Sequence, residues 1–247
     1  MLMLLSWVAV SLCLFAPSAL AEGTALDRLV SAYPDHLVRH NGSRIFWKDG
    51  TSMPVSDRLN RTFDDKLKHA TIADQLSLVY PKGRPARSPG PEDDPGRFRN
   101  VAFFNKMYGD CTAREVEKHL VDVVWLRNHE RRLLRVTSIN GVAARLQSVS
   151  DELDKLPDNL RRYATPSAGT FNCRTVADTG VRSIHGWAVA IDVNTKYSDY
   201  WLWRKGAPYR NRIPFEIVAV FEKHGFIWGG KWGHYDTMHF EYRPELL

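Results

Sequence analysis

The chain's 247 residues are 44% hydrophobic and 25% charged, an ordinary globular composition. That excludes a disordered or fibrous protein and allows one large domain or two small ones. The net charge of +6 comes from scattered Lys and Arg without a dense run. This speaks against a nucleic-acid-binding arm and leaves envelope polyanions as the better-fitting charged partners.

Residues 1–21 stand apart. Met1 to Ala21 carry no charge, Leu4 to Ala16 are largely apolar, and Ala19-Leu20-Ala21 has the small-x-small pattern of a signal-peptidase site. The run is too short to span a bilayer comfortably, and Pro17 ends it. The expectation is a signal peptide and an exported protein, periplasmic or extracellular, with no stable membrane insertion. One feature departs from the usual pattern: no Lys or Arg precedes the apolar run. Removing the segment leaves two cysteines, Cys111 and Cys173. In an oxidising compartment they read as a disulfide, in preference to free thiols or to Cys173 as a metal ligand.

Residues 22–100 read as an N-terminal arm of unclear fold and residues 101–247 as the core domain. Arg44 to Trp47 followed by Asp49-Gly50 suggests a strand and hairpin. Five prolines in residues 81–97 mark a loop, either a spacer or an ordered wrap across the surface. Thr112 with Glu115 has the capping-box pattern and predicts a helix to about Leu120. Val121 to Leu126 and Leu133 to Ile139 read as strands, Asn140-Gly141 as a break, and Val142 to Leu156 as an amphipathic helix stopped by Pro157. Pro214 to His224 reads as another helix, with Gly225 past its end and His224 capping its last carbonyls. Helices and strands without regular βαβ alternation indicate an α+β fold.

Two segments carry the chemistry. In Ser183-Ile-His185-Gly-Trp-Ala-Val-Ala-Ile-Asp192-Val-Asn194, strand alternation puts Val189, Ile191 and Val193 on a core face and Ala188, Ala190 and Asp192 on the other. His185 would point away from Asp192 on a continuous strand, and Gly186 permits a bend that returns it. In the C-terminal segment, Met238, Phe240 and Tyr242 should face the core, with His239 and Glu241 opposite. Asp236 falls at a turn before them. Two His and one carboxylate form the ligand set of catalytic zinc sites that keep a position open.

Ser183-x-His185-x6-Asp192 followed by Asp236-x-x-His239 resembles the signature of the zinc D-Ala-D-Ala carboxypeptidases and L-alanyl-D-glutamate endopeptidases, the VanX and VanY family. The resemblance covers about residues 169–243. It implies a domain of the D-Ala-D-Ala carboxypeptidase/Hedgehog type, with a small antiparallel sheet carrying Zn2+ on His185, Asp192 and His239. It also implies Asp236 as general base, Arg174 as the group that steadies the substrate, and a peptidoglycan stem peptide as substrate. Ala188 stands where the family usually has Gly, and Asp236 where many members have Glu. Ser183, Trp228 and Trp232 are candidates for substrate contact, and Glu241 for support of a ligand. Several alternatives stay open: Glu241 as the base, His234 in place of His239, a non-catalytic zinc-containing wall-binding module, and a basic polyanion-binding protein without metal.

Overall fold

Short runs of apolar residues broken by Gly, Pro and Asx turns give this chain short elements, and their buried faces meet in one α+β core. The computed structural model describes residues 23–176, 180–204 and 206–247, so the expected signal segment lies outside the described residues. Helix α1 (Ala25–Ala32) opens on a capping box formed by Thr24 and Asp27. Strands β1 (Leu37–His40), β2 (Arg44–Trp47) and β3 (Ser52–Pro54) form an antiparallel sheet in that order. Helices α2 (Phe63–His69), α3 (Ile72–Gln75) and α4 (Val101–Tyr108) follow. Next come the hairpin β4 (Leu120–Trp125) and β5 (Arg132–Thr137), then helices α5 (Val142–Leu153) and α6 (Asp158–Arg161). The chain ends in β6 (Ala190–Asp192), α7 (Phe215–Lys223), β7 (Phe226–Trp228) and β8 (His239–Tyr242), whose sheet has the order β6-β8-β7.

Residues 23–80 share the central core. Tyr33 and Trp47 pack on Phe103 of α4, and Leu29, Ile45 and Ile72 are fully buried in the same cluster as Trp187 and Phe240. The proline-rich segment is an ordered wrap. Lys231 donates to the carbonyls of Pro81 and Gly83 at 2.6 Å each, and the Trp232 indole N–H donates to that of Pro95 at 2.7 Å. Gly96, at φ +97°, holds a left-handed backbone where a Cβ would also press on the Ile227 side chain, so glycine is favoured against the sheet. No helix among the described residues is long and apolar enough to cross a membrane.

Two local expectations are corrected. The helix expected from Thr112 is a turn followed by a 3-10 turn at Val116–His119. Asp110 accepts from both the backbone and the hydroxyl of Thr112, and Glu115 accepts from the Asp110 N–H, so the would-be capping residues cap a different turn. His224 does not cap carbonyls with its ring, which instead meets Glu152 of α5 at 2.7 Å.

Cys111 and Cys173 form a disulfide across a sequence separation of 62. Closing a loop of that length stabilises the fold by about 3–5 kcal/mol on the chain-entropy estimate. Denaturant titrations with and without reductant are expected to differ by that amount, and a difference below about 1 kcal/mol would refute it.

Candidate active site

The register of the C-terminal sheet builds the site. Asp192 of β6 lies directly opposite His239 of β8, a cross-strand pair whose side chains stand on one face within reach of each other. The pleat sends the next residue the other way. Phe240 stacks on Phe221 of α7 at 3.8 Å, while His239 and Glu241 stay together on the site side.

His185 arrives by a different device. It sits in a 3-10 turn, Ile184–Trp187, that ends at Ala188 with φ +56°. Here the structure corrects the expected hinge at Gly186. That glycine supplies space, since a Cβ there would lie 3.2 Å from Cys111 Sγ, whereas Ala188 makes the reversal. The left-handed backbone explains why glycine would suit this position. Relief of about 1 kcal/mol of strain is offset by the extra freedom glycine has when unfolded, about 0.4–1 kcal/mol. Ala188→Gly is therefore expected to unfold within about 1 kcal/mol of the parent. Ala188→Val, β-branched at positive φ, is expected to lose about 2 kcal/mol or more in the same denaturant titration.

Ligand atoms of His185, Asp192 and His239 all lie within 4.8 Å of one another. His185 Nδ1–H donates to the Thr170 carbonyl at 2.5 Å, and His239 Nε2–H donates to Glu241 at 2.9 Å. Those outer bonds turn His185 Nε2 and His239 Nδ1 inward, 3.2 Å apart, each about 3 Å from a different oxygen of Asp192. Three lone-pair donors facing one another call for a proton or a cation between them, and two imidazoles with one carboxylate suit zinc. Burial opposes the charge on His239, but its bonds to Asp192 and Glu241 outweigh this and raise its pKa to about 10. Burial likewise opposes ionisation of Asp192, and the two imidazoles outweigh it and hold the carboxyl far below its ordinary range.

Residues 177–242 match the family model described as D-alanyl-D-alanine carboxypeptidase. Over this stretch the chain resembles the VanY-like zinc peptidases. Comparison with curated proteins found no match, and comparison with solved structures found none. The peptidase-family stretch contains His185, Asp192, Asp236 and His239, whereas Arg174 and the disulfide lie before it.

A cavity of about 310 Å³ opens over the three candidate ligand residues of the matched segment and is also lined by Asp236, Ser183, Arg174 and Trp232. Asp236 is half-buried, and its Oδ1 has no hydrogen-bond partner. Burial first, then the negative charge of Asp192, raise its pKa to about 6. Arg174 is exposed at the mouth of the cavity, next to the disulfide. Trp232 packs beside the His239 ring at 5.5 Å. Trp228 does not share that wall. It is buried, donates to the Thr237 carbonyl and stacks toward Phe240 in the core. His234 is bonded to Asp94 and lies outside the cluster of possible metal ligands. Glu241 is fully buried and bonded to Arg99 and Arg243, away from the cavity lining, so its geometry is that of a support for His239.

Sequence reasoning missed several lining residues, among them two arginines and two aromatic residues. Arg97 and Arg99 come from the proline-rich wrap, and Tyr200 and Trp203 from the segment after β6. The Asp94-Pro-Gly-Arg97 turn was the available signal for the first pair. Nothing in the pattern marked the second.

Proposed function

We propose that this chain is an exported, zinc-dependent peptidase that hydrolyses an amide bond in peptidoglycan stem peptides. What carries the reading is the convergence of His185 Nε2, His239 Nδ1 and the Asp192 carboxylate, with each imidazole's other nitrogen already committed to an outer partner. The matched peptidase-family segment supports it. Zinc held by these residues would supply a Lewis acid that polarises the scissile carbonyl and acidifies water.

The chain's own groups divide the remaining work. Asp236 takes a proton from the attacking water on its unpartnered oxygen and returns it to the departing amine. A carboxyl with a pKa near 6 is ionised in most molecules at neutral pH yet basic enough for this exchange. Arg174 offers several donors in a fixed plane, suited to a substrate carbonyl or carboxylate. Trp232 and Ser183 bound the space the substrate would fill. A site serving only as a zinc-containing wall-binding module has no need of a carboxyl at position 236.

The test is digestion of defined muropeptides by the purified protein with and without a chelator, read by mass spectrometry, alongside its zinc content. Expected are near-stoichiometric zinc, lost in His185→Ala, and hydrolysis that chelation abolishes and added zinc restores. Hydrolysis indifferent to the chelator, or zinc content unchanged in His185→Ala, would overturn the reading.

A further inference from the structure

A second cavity, of about 300 Å³, lies next to the candidate ligand set, between β5 and residues 168–174. Its lining includes Arg132, Leu133, Arg135, Phe171 and Asn172. His185, Asp192 and Arg174 line this cavity and the one that holds Asp236. The candidate metal site therefore borders both spaces. Each space alone is at the lower end of the range for ligand pockets.

The charges of the second cavity are one-sided. Arg132, Arg135 and Arg174 line it, and the acid among its lining residues is Asp192, a ligand residue. Arg132 lines the cavity and donates to the Ser167 carbonyl. Arg135 is exposed, and neither Arg132 nor Arg135 forms an ion pair among the described residues. Three arginines around a space whose one lining acid belongs to the candidate ligand set favour an anion whose planar carboxylate matches their donors.

We propose that this second cavity is a substrate arm in which Arg132 and Arg135 hold a carboxylate of an anionic peptide, so that the bond cut lies inside the peptide chain. The inference rests on the peptidase reading above and adds the kind of bond and the charge of the substrate. An enzyme that removes a terminal residue needs a space closed just beyond the metal. Here two cavities border the candidate site.

The zinc-loaded full chain is offered the stem pentapeptide L-Ala-γ-D-Glu-diaminopimelate-D-Ala-D-Ala, and a copy with its side-chain carboxylates amidated. Products are identified by mass spectrometry. Cleavage with two or more residues on each side of the broken bond is expected. Release of the last D-Ala alone overturns the arm but leaves the peptidase reading standing, and no hydrolysis under any zinc condition removes both. Arg135→Glu is expected to raise KM for the anionic peptide about tenfold, the scale of one charge-assisted hydrogen bond, with kcat within about twofold. Amidation should raise the parent's KM similarly, and the variant should add nothing further on the amidated peptide. A KM that neither change moves overturns the assignment of Arg135.

Discussion

An Asp236→Asn variant is expected to keep stoichiometric zinc while kcat falls by about 10²- to 10⁴-fold, the usual contribution of a positioned acid–base group. The substitution nearly preserves shape, and Oδ1 has no hydrogen bond to lose, so the fold should tolerate it. The pH profile separates a lost base from a disturbed site. Asp236 must be ionised to accept a proton, and burial with the charge of Asp192 puts its pKa at about 6. The parent's rate should therefore rise with pH along an acid limb and fall as protons occupy the carboxyl below it. A cation beside Asp192 stabilises the ionised form, which places the limb at or below pH 6. The residual rate of Asp236→Asn should lack this limb. Activity within a few-fold of the parent, with the limb intact, would show that the base lies elsewhere.

The second large effect is expected at Glu241. Its carboxylate accepts from Arg99 at 2.5 Å, from Arg243 at 3.0 Å and from His239 at 2.9 Å, and it is fully buried. Burial alone would protonate it, but Arg99, His239 and Arg243 together hold its pKa well below the carboxylate range. Glu241→Ala would leave two buried guanidinium groups facing each other without their shared anion. Removing one partner of such a set costs about 3–5 kcal/mol. The same change frees the His239 ring to rotate and to switch tautomer, and loss of an outer-shell carboxylate weakens metal binding about 10–100-fold. Denaturant titration of the metal-free protein measures the first effect, and competition with a calibrated chelator the second. Stability within about 1 kcal/mol of the parent, with unchanged zinc affinity, would show Glu241 to be a bystander.

Much of this site could be read from local pattern. Period-two alternation placed Phe240 and Tyr242 against His239 and Glu241, and the pleat of β8 follows it. Helix α5 and helix α7 begin and end within a few residues of their Pro and Gly signals. The failures share a cause, which is competition or distance. Asp110 outbids the capping role expected of Thr112, a contest that the Thr-x-x-Glu pattern does not display. Arg99 meets Glu241 from 142 residues away, and no spacing rule connects the two. His185 depends on a left-handed alanine, a conformation that residue identity argues against.

The order β6-β8-β7 sets a condition on how the molecule assembles. The middle strand is the last of the three to be synthesised, and its neighbours have no partner in that sheet until it inserts between them. Its arrival simultaneously completes the hydrogen-bond ladder, seats Phe240 on Phe221 and brings His239 to Asp192. Docking across such separations is slow, and until β8 arrives the sheet does not bring His239 to Asp192. The pairing of His239 with Asp192 should accordingly appear together with burial of Phe240 in the core.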